Sequence, residues 1–350
     1  MRFIGSKINL VEKIYYILQS EQVFGNSFFD FFAGTSSVGQ FFKNKNYQVF
    51  SSDLLYFSFV LQKAYIENDE IPDFANVLST IKISNHSLFD NPLNQVIRYL
   101  NTLPLKEGFI FKNYTPEGTS NLPIPRMYFT AENGKIIDSI RQKIEEWKIK
   151  KLLTDNEYFI LLSCLIETVP FYANILGVYA AFQKQWDARA KKKIVLKSIE
   201  LIKNNKENKV FNQNSTDLIA SITADIIYLD PPYNQRQYAP NYHLLETIAK
   251  YDNPTIKGVS GMRNYENQKS LFCNSKTALL ELAKIAKTAN YKYLVLSYNN
   301  EGIMSTQEIM ATLNQFGKAE LVEFDYIRFK SNSNGESKKF VKEQLYILTK

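Results

Sequence analysis

The stretch that most limits the fold is the run from Asn26 to Ser52. Asn26–Phe31 is a short apolar strand candidate that carries an acid, Asp30, near its end. Ala33–Ser37 is turn material built round Gly34, and Val38–Lys43 starts a helix. Gln48–Ser52 is a second strand candidate, followed at once by Asp53. Strand, glycine turn, helix and strand in so few residues is the opening of a doubly wound α/β sheet. Just before it, Lys7–Leu18 has apolar residues at helical spacing: Ile8, Val11, Ile14, Tyr15 and Leu18.

After about Lys209 the same rhythm returns. Asp225–Leu229 reads as a buried strand, His243–Tyr251 and Lys276–Ala289 as helices, and Tyr293–Ser297 as a strand. Two terminal strand candidates, Glu320–Phe329 and Lys339–Leu348, flank Ser331–Gly335, which is a hairpin signal. The intervening residues differ. Long helical patterns, Ile136–Trp147 and Asn156–Glu167, are broken by an irregular stretch, Asn113–Pro125. The expectation is an α/β protein with a Rossmann-like sheet, mostly parallel, ending in an antiparallel hairpin. The sheet domain is discontinuous, 1–55 and 210–350, and 56–209 is a mainly helical insert.

Composition excludes several classes. With 350 residues and 45% apolar content the chain can bury a sizeable core. Apolar stretches such as Tyr158–Ile166 are too short and interrupted to span a bilayer. Met1–Gly5 opens no signal-peptide core. Cys164 and Cys273 stand far apart, and with His86 and His243 they show no metal-ligand spacing. A cytoplasmic protein without metal is expected. The net charge of +7 is uneven: Lys184–Lys197 holds six basic residues against one acid, and Lys338, Lys339 and Lys342 form a second cluster. Such a balance suits a polyanion such as nucleic acid, or a solvated helix face.

The chemistry concentrates at strand ends. Asp30, Phe31, Phe32, Ala33, Gly34 and Thr35 run from a strand through a glycine turn to a helix start, which suits a small ligand or a plain structural turn. No Gly-Lys-Ser/Thr follows, so it is not a P-loop, and the three-glycine dinucleotide fingerprint is missing. Asp53 either caps the next helix or accepts from ribose hydroxyls. Together Asp30, Gly34 and Asp53 suggest an adenosine-containing cofactor with a polar tail. The sharpest stretch is Asp230-Pro231-Pro232-Tyr233, directly after the apolar strand. Each proline restricts the residue before it to extended backbone. The result is a stiff spur carrying a carboxylate, prolyl carbonyls and a ring. Such a spur is a receptor for a planar group bearing an amine: two acceptors take the amine hydrogens while the ring stacks.

Asp230–Tyr233, preceded by Ile226–Leu229, resembles the catalytic motif of DNA adenine-N6 methyltransferases. Asp30–Thr35 resembles their S-adenosylmethionine motif, and Arg2-Phe3-Ile4-Gly5-Ser6-Lys7 the N-terminal motif of the alpha group. The order of motifs agrees, and Arg126–Thr130, Gly177–Phe182 and Ser297–Gly302 also resemble restriction-associated members. The resemblance implies a methyltransferase sheet and makes the insert a target-recognition domain. It implies that Phe31 and Gly34 line the cofactor pocket with Arg2, Phe3, Phe32, Ala33 and Thr35. It puts Asp30 near the cofactor's amino group, Asp53 on the ribose, and Lys7 near cofactor and flipped base. Asp230 and the Pro231 carbonyl then accept from the adenine amine, and Tyr233 stacks. An acid that helps bind the cofactor adenine is common before the catalytic strand; here that slot holds Asn214, or Asp217 in another register.

The implied reaction is direct methyl transfer from S-adenosylmethionine to adenine N6 in double-stranded DNA, after base flipping. Its role would be protection from a cognate restriction endonuclease. The Pro-Cys pair of cytosine-C5 enzymes is absent, since Ser163 precedes Cys164 and Phe272 precedes Cys273. Cytosine-N4 or RNA adenine methylation, or a DNA-binding module or endonuclease without methylation, are the alternatives. Lys184, Arg189, Lys191, Lys192 and Lys193 are candidate phosphate contacts, and Arg126 in the 113–126 stretch a candidate base or phosphate contact. Tyr238, Tyr242 and His243 either close over a flipped base or are core aromatics.

Overall fold

The computed structural model describes residues 5–82, 91–213, 218–327 and 340–350. Arg2, Phe3, His86, Asn214, Asp217, Lys338 and Lys339, singled out above, lie outside the described residues. The chain divides into two compact units: a sheet unit of Gly5–Gln62, Asn204–Ala239 and Glu266–Lys350, and a helical unit that takes Lys63–Lys203 and Pro240–Tyr265. No helix among the described residues is long and apolar enough to cross a membrane.

In the sheet unit, α1 (Val11–Ser20) precedes β1 (Ser27–Asp30), α2 (Ser37–Asn44) and β2 (Gln48–Ser52), and the chain leaves along α3 (Tyr56–Tyr65). It re-enters through β3 (Lys209–Phe211) and β4 (Ile226–Leu229), and closes with α10 (Ser275–Thr288), β7 (Tyr293–Asn299), α11 (Thr306–Leu313), β8 (Lys318–Ile327) and β9 (Phe340–Thr349). The strands form one seven-stranded sheet in the order β3-β2-β1-β4-β7-β9-β8. Only β9 runs against its neighbours, β7 and β8. The mostly parallel sheet with a terminal antiparallel hairpin is therefore present, with β9 slotted between β7 and β8 rather than at the margin. Its central strands are apolar on both faces because both are covered. Phe28 stacks on Phe42 of α2 at 3.6 Å on one face. Phe29, Ile227, Leu229, Leu294 and Leu296 pack with Leu282, Ile285 and Leu313 on the other.

From β1 the chain builds outward through β2 to β3, while β4 and β7 lie on the opposite side of β1. The connections that follow β1 and β4 therefore part, which opens a crevice at the carboxyl ends of these two strands. Asp30 pairs across to Tyr228, so the β1 and β4 ends stand side by side. The Asp30 loop and the Asp230 spur both leave from there.

The helical unit contains α4 (Ala75–Leu78), α5 (Pro92–Leu100), α6 (Phe109–Tyr114), α7 (Ala131–Ile149), α8 (Asp155–Tyr172), the body of α9 (Tyr238–Lys250) and a small ladder of β5 (Ile256–Lys257) with β6 (Met262–Arg263). Thr154 and Glu157 form a capping box that starts α8. The sequence reading assigned residues 240–265 to the sheet domain; here they pack with the helices. Three buried side chains tie them. Arg141 donates to the carbonyls of Ile248 and Ala249 at the end of α9. Asp138 accepts from the backbone N–H groups of Gly108, Ile110 and Phe111 at the start of α6, and from the Tyr251 hydroxyl. Tyr114 donates to the Gly261 carbonyl at 2.7 Å.

Candidate active site

The site in the sheet unit is built from three chain segments. The first is the loop after β1. Asp30 is 1% exposed, and among the described residues its carboxylate accepts one hydrogen bond, from the Gly39 N–H of α2, at 3.1 Å. Gly34 turns the loop at φ +51°, where a side chain would be strained. Its N–H donates to Asp53 Oδ2 at 2.9 Å, and its carbonyl accepts from the Ser58 hydroxyl. The other oxygen of Asp53 accepts from the Leu55 N–H, just ahead of α3, at 2.8 Å. Phe31 is 1% exposed and belongs to the sheet core, whereas Phe32 is partly exposed at the loop. Ala33 is buried and its N–H pairs with the Ser52 carbonyl; Thr35 is partly exposed.

The second segment is the spur. β4 is buried throughout and delivers Asp230, with Pro231 and Pro232 buried behind it. The Tyr233 hydroxyl donates to Asp230 Oδ1. Asp230 Oδ2 and the Pro231 carbonyl accept no hydrogen bond among the described residues. The Tyr233 ring stands edge-on to Tyr298, with centroids 5.1 Å apart. Tyr298 lies so close to Gly302 that a methyl group there would sit 2.1 Å from its ring. Gly302 thus keeps Tyr298, and through it Tyr233, in place.

The third segment is the turn before α1. Gly5 has φ +77°, and a Cβ would meet the Tyr238 hydroxyl at 2.9 Å, which accounts for a glycine there. Two residues on, the buried Lys7 donates to the Tyr233 hydroxyl and to Glu343 Oε1, and its Nζ lies 3.5 Å from Asp230 Oδ1. Glu343, on β9, also accepts from the Ser297 hydroxyl of β7 at 2.8 Å.

These groups set one another's charge. Burial, then the negative charges of Asp230 and Asp53, push the Asp30 carboxyl up to about 8, against the Gly39 N–H. Burial pushes Asp230 up to about 6, opposed by Lys7 and the Tyr233 hydroxyl. Burial alone would lower Lys7, but Asp230 and Glu343 outweigh it and hold its ammonium above the usual range. Burial and the neighbouring carboxylates hold the Tyr233 phenol well above its ordinary value. At neutral pH the site therefore carries an ionised Asp230, a charged Lys7 and a largely protonated Asp30.

Of the residues expected in the site, the sheet unit brings together Lys7, Asp230 and Tyr233, and couples Asp30 to Asp230 electrostatically. Glu343 was missed. Its signal is a Lys342-Glu343-Gln344 run inside an otherwise apolar strand. Glu343 and Gln344 are both buried there, an unusual state for such residues that calls for partners.

In the helical unit the basic run is no helix face. Residues 184–203 have no regular structure and lie as a strap. Asn133 holds it by donating to the Ala190 and Lys192 carbonyls and accepting from the Ile194 N–H. Asn101 grips both polar groups of the Leu196 backbone. Ala190, Ile194, Leu196 and Ile199 point inward, while Lys184, Lys191, Lys192 and Lys193 are exposed. Arg189 is partly exposed and paired with Asp187 at 3.4 Å. Arg126 does not fit the contact expected of it. It is 7% exposed, and its guanidinium donates to the carbonyls of Asn113, Gly258 and Val259. Tyr242 and His243 are core residues: burial lowers His243 to about 4, and it bonds the Tyr179 carbonyl.

A family model described as D12 class N6 adenine-specific DNA methyltransferase matches residues 3–312. The type II methyltransferase M.FokI of Planomicrobium okeanokoites is 39% identical over 99% of this chain and 52% of its own. The modification methylase StsI of Streptococcus sanguinis is 36% identical over 100% of this chain and 52% of its own. The type II methyltransferase M.NlaIII of Neisseria lactamica is 36% identical over 95% of this chain and 93% of its own. The chain thus spans about half the length of the first two relatives and most of the third.

Proposed function

Because the chain belongs to the D12 class of N6 adenine-specific DNA methyltransferases, we propose that it transfers a methyl group from S-adenosylmethionine to the N6 amine of an adenine flipped out of a short duplex DNA sequence. One observation carries this reading. At the end of a buried strand, a carboxylate oxygen and a prolyl carbonyl have no hydrogen-bond partner among the described residues, on backbone that two prolines hold extended. An exocyclic amine has two hydrogens to give. Asp230 Oδ2 and the Pro231 carbonyl would take them, with the Tyr233 ring beside the base. As the amine acquires the methyl it becomes cationic, and the Asp230 carboxylate stabilises the developing charge.

The residues present suit S-adenosylmethionine. When bound, it supplies a methyl group made electrophilic by a sulfonium sulfur. Asp30, a buried carboxyl with a single N–H donor, is a receptor for the cofactor's amino group. Gly34 lets backbone approach a ligand closely, the Phe32 ring offers an apolar edge, and Asp53 lies next to that loop. Lys184 and Lys191–Lys193, held outward by Asn133 and Asn101, suit DNA phosphates. The helical unit would carry target recognition. Protection of DNA from a cognate restriction endonuclease follows if this chain shares the role its modification-methylase relatives are named for.

The test is incubation with labelled S-adenosylmethionine and duplex DNA, followed by base analysis. N6-methyladenine is expected, and Asp230→Ala should lower turnover by about a hundredfold or more while the cofactor still binds. Label found as N4-methylcytosine, or only in RNA, would refute the proposal.

A further inference from the structure

Glu343 makes no hydrogen bond with Asp230, yet it is buried on β9, between β7 and β8. Its side chain is 5% exposed, against 4% for its partner Lys7. A buried carboxylate persists only if paired and hydrogen-bonded. Glu343 is both: Oε1 takes the Lys7 ammonium and the Ser297 hydroxyl. The consequence lies on the far side of Lys7. Its ammonium hydrogen-bonds to Glu343 and to the Tyr233 hydroxyl but stays 3.5 Å from Asp230. Tyr233 in turn donates to Asp230 Oδ1. The order is Ser297, Glu343, Lys7, Tyr233, Asp230, spanning β7, β9, the turn before α1 and the end of β4.

We propose that Glu343 is a positioning residue for the transfer reaction: it draws the Lys7 ammonium away from Asp230, so that one Asp230 oxygen is oriented by Tyr233 and the other stays open to the amine. This inference rests on the methyl-transfer reading above. Without Glu343, Lys7 has Asp230 as its remaining acidic partner among the groups it faces and closes the 3.5 Å gap. The carboxylate is then over-paired, a poorer acceptor, and pulled off line. Among the described residues, the charged and titratable groups facing Asp230 and Tyr233 are Lys7, Glu343 and Tyr228, with Asp30 coupled to Asp230 from the β1 end. Removing Glu343 both deletes a repelling charge and frees an attracting one. Both effects favour ionised Asp230.

The experiment is a set of pH–rate profiles for N6-adenine methylation by wild type, Glu343→Gln, Lys7→Met and the double variant. Expected for Glu343→Gln is a fall in kcat on the order of tenfold, as for a group displaced by less than an ångström. Its acid limb, set by Asp230, should move to lower pH by about one pH unit. A residue that merely supported the fold would not move that limb. On the Lys7→Met background Glu343→Gln should change kcat less than about twofold, because the two act as one unit. An unmoved acid limb, or effects of Lys7→Met and Glu343→Gln that multiply, overturns the proposal. If Glu343→Gln does not fold, Glu343→Asp keeps a carboxylate but draws it back from Lys7. A lower kcat with the acid limb moved to lower pH supports the proposal, and an unmoved limb overturns it. A wild type that methylates no adenine overturns the functional reading and this inference with it. An active wild type with an unaltered Glu343→Gln profile overturns this inference alone.

Discussion

Asp30 offers a test in which stability and binding should move in opposite directions. In the unfolded chain its carboxyl ionises near its ordinary 3.8; in the native site it is held at about 8. Each tenfold step between those values costs about 1.4 kcal/mol, so the upper limit is roughly 6 kcal/mol. The sign follows from proton counts. Between pH 4 and pH 8 the native state keeps a proton that the unfolded chain has lost, so stability falls as pH rises through this window. Below pH 4 both states are protonated and the penalty vanishes. Asp30→Asn keeps an acceptor for the Gly39 N–H and cannot ionise. Urea unfolding should find the variant more stable than wild type at pH 8, by several kcal/mol at the limit, with the gap closing toward pH 4. Binding should go the other way. A cationic amino group beside Asp30 favours the ionised form, so the wild type should release a proton on binding S-adenosylmethionine. At pH 7, with the carboxyl near 8, that is roughly 0.9 proton, read by calorimetry in buffers of different ionisation enthalpy. Asp30→Asn should release none from this position and bind more weakly. Parallel stability curves for the two proteins, or identical proton release, would refute the reasoning.

Two further outcomes separate the exposed lysines of the strap from the buried Arg126. Replacing Lys191, Lys192 and Lys193 together with Ala should reduce the slope of log affinity for DNA against log salt by about 2 to 3 with little change in stability; an unaltered slope would remove the strap from the DNA interface. Arg126→Ala should instead cost roughly 3 kcal/mol of stability, since three backbone carbonyls lose a charged donor, and leave the salt slope as it was.

The centre of the sheet was legible because β1, β4 and β7 are short, largely apolar and punctuated by turn chemistry, and because Val38–Lys43 and Lys276–Ala289 carry helical periodicity. Asp230–Tyr233 was legible for a related reason: two prolines leave little conformational choice. What the sequence hid depends on contacts distant along the chain. Residues 240–265 carry no signal of which unit they join; Arg141, Asp138 and Tyr114 decide it from another part of the chain. The basic run has no helical reason to be a strap until Asn133 and Asn101 take its backbone groups. Arg126 reads as a surface cation until its three carbonyl partners are in place. Phe31 and Phe32 are indistinguishable by letter, and the turn after β1 buries Phe31 fully while leaving Phe32 partly exposed against the same core. Glu343 was hidden because the last strand of a terminal hairpin reads as a margin, where a glutamate is ordinary. Only the insertion of β9 between β7 and β8 makes it a buried charge.

That buried charge completes the electrostatic argument. Among the described residues, the electrostatically linked groups at the strand ends comprise four carboxyls, Asp30, Asp53, Asp230 and Glu343, and one ammonium, Lys7. Were all ionised, negative charge would exceed positive by three among these groups, and such an excess is relieved by protonation or by a cation. Protonation of Asp30 is the answer while no cation is present. The proposed methyl donor is itself cationic, and its amino group would let Asp30 give up the proton. The proposed reaction also needs negative charge beside the base, since the amine becomes cationic as it is methylated. If Lys7 were the counter-ion of Asp230 alone, that demand would already be met and the driving force reduced; instead Lys7 is shared with Glu343. By engaging Lys7 from β9, Glu343 leaves the Asp230 charge available at the one place where new positive charge is to form.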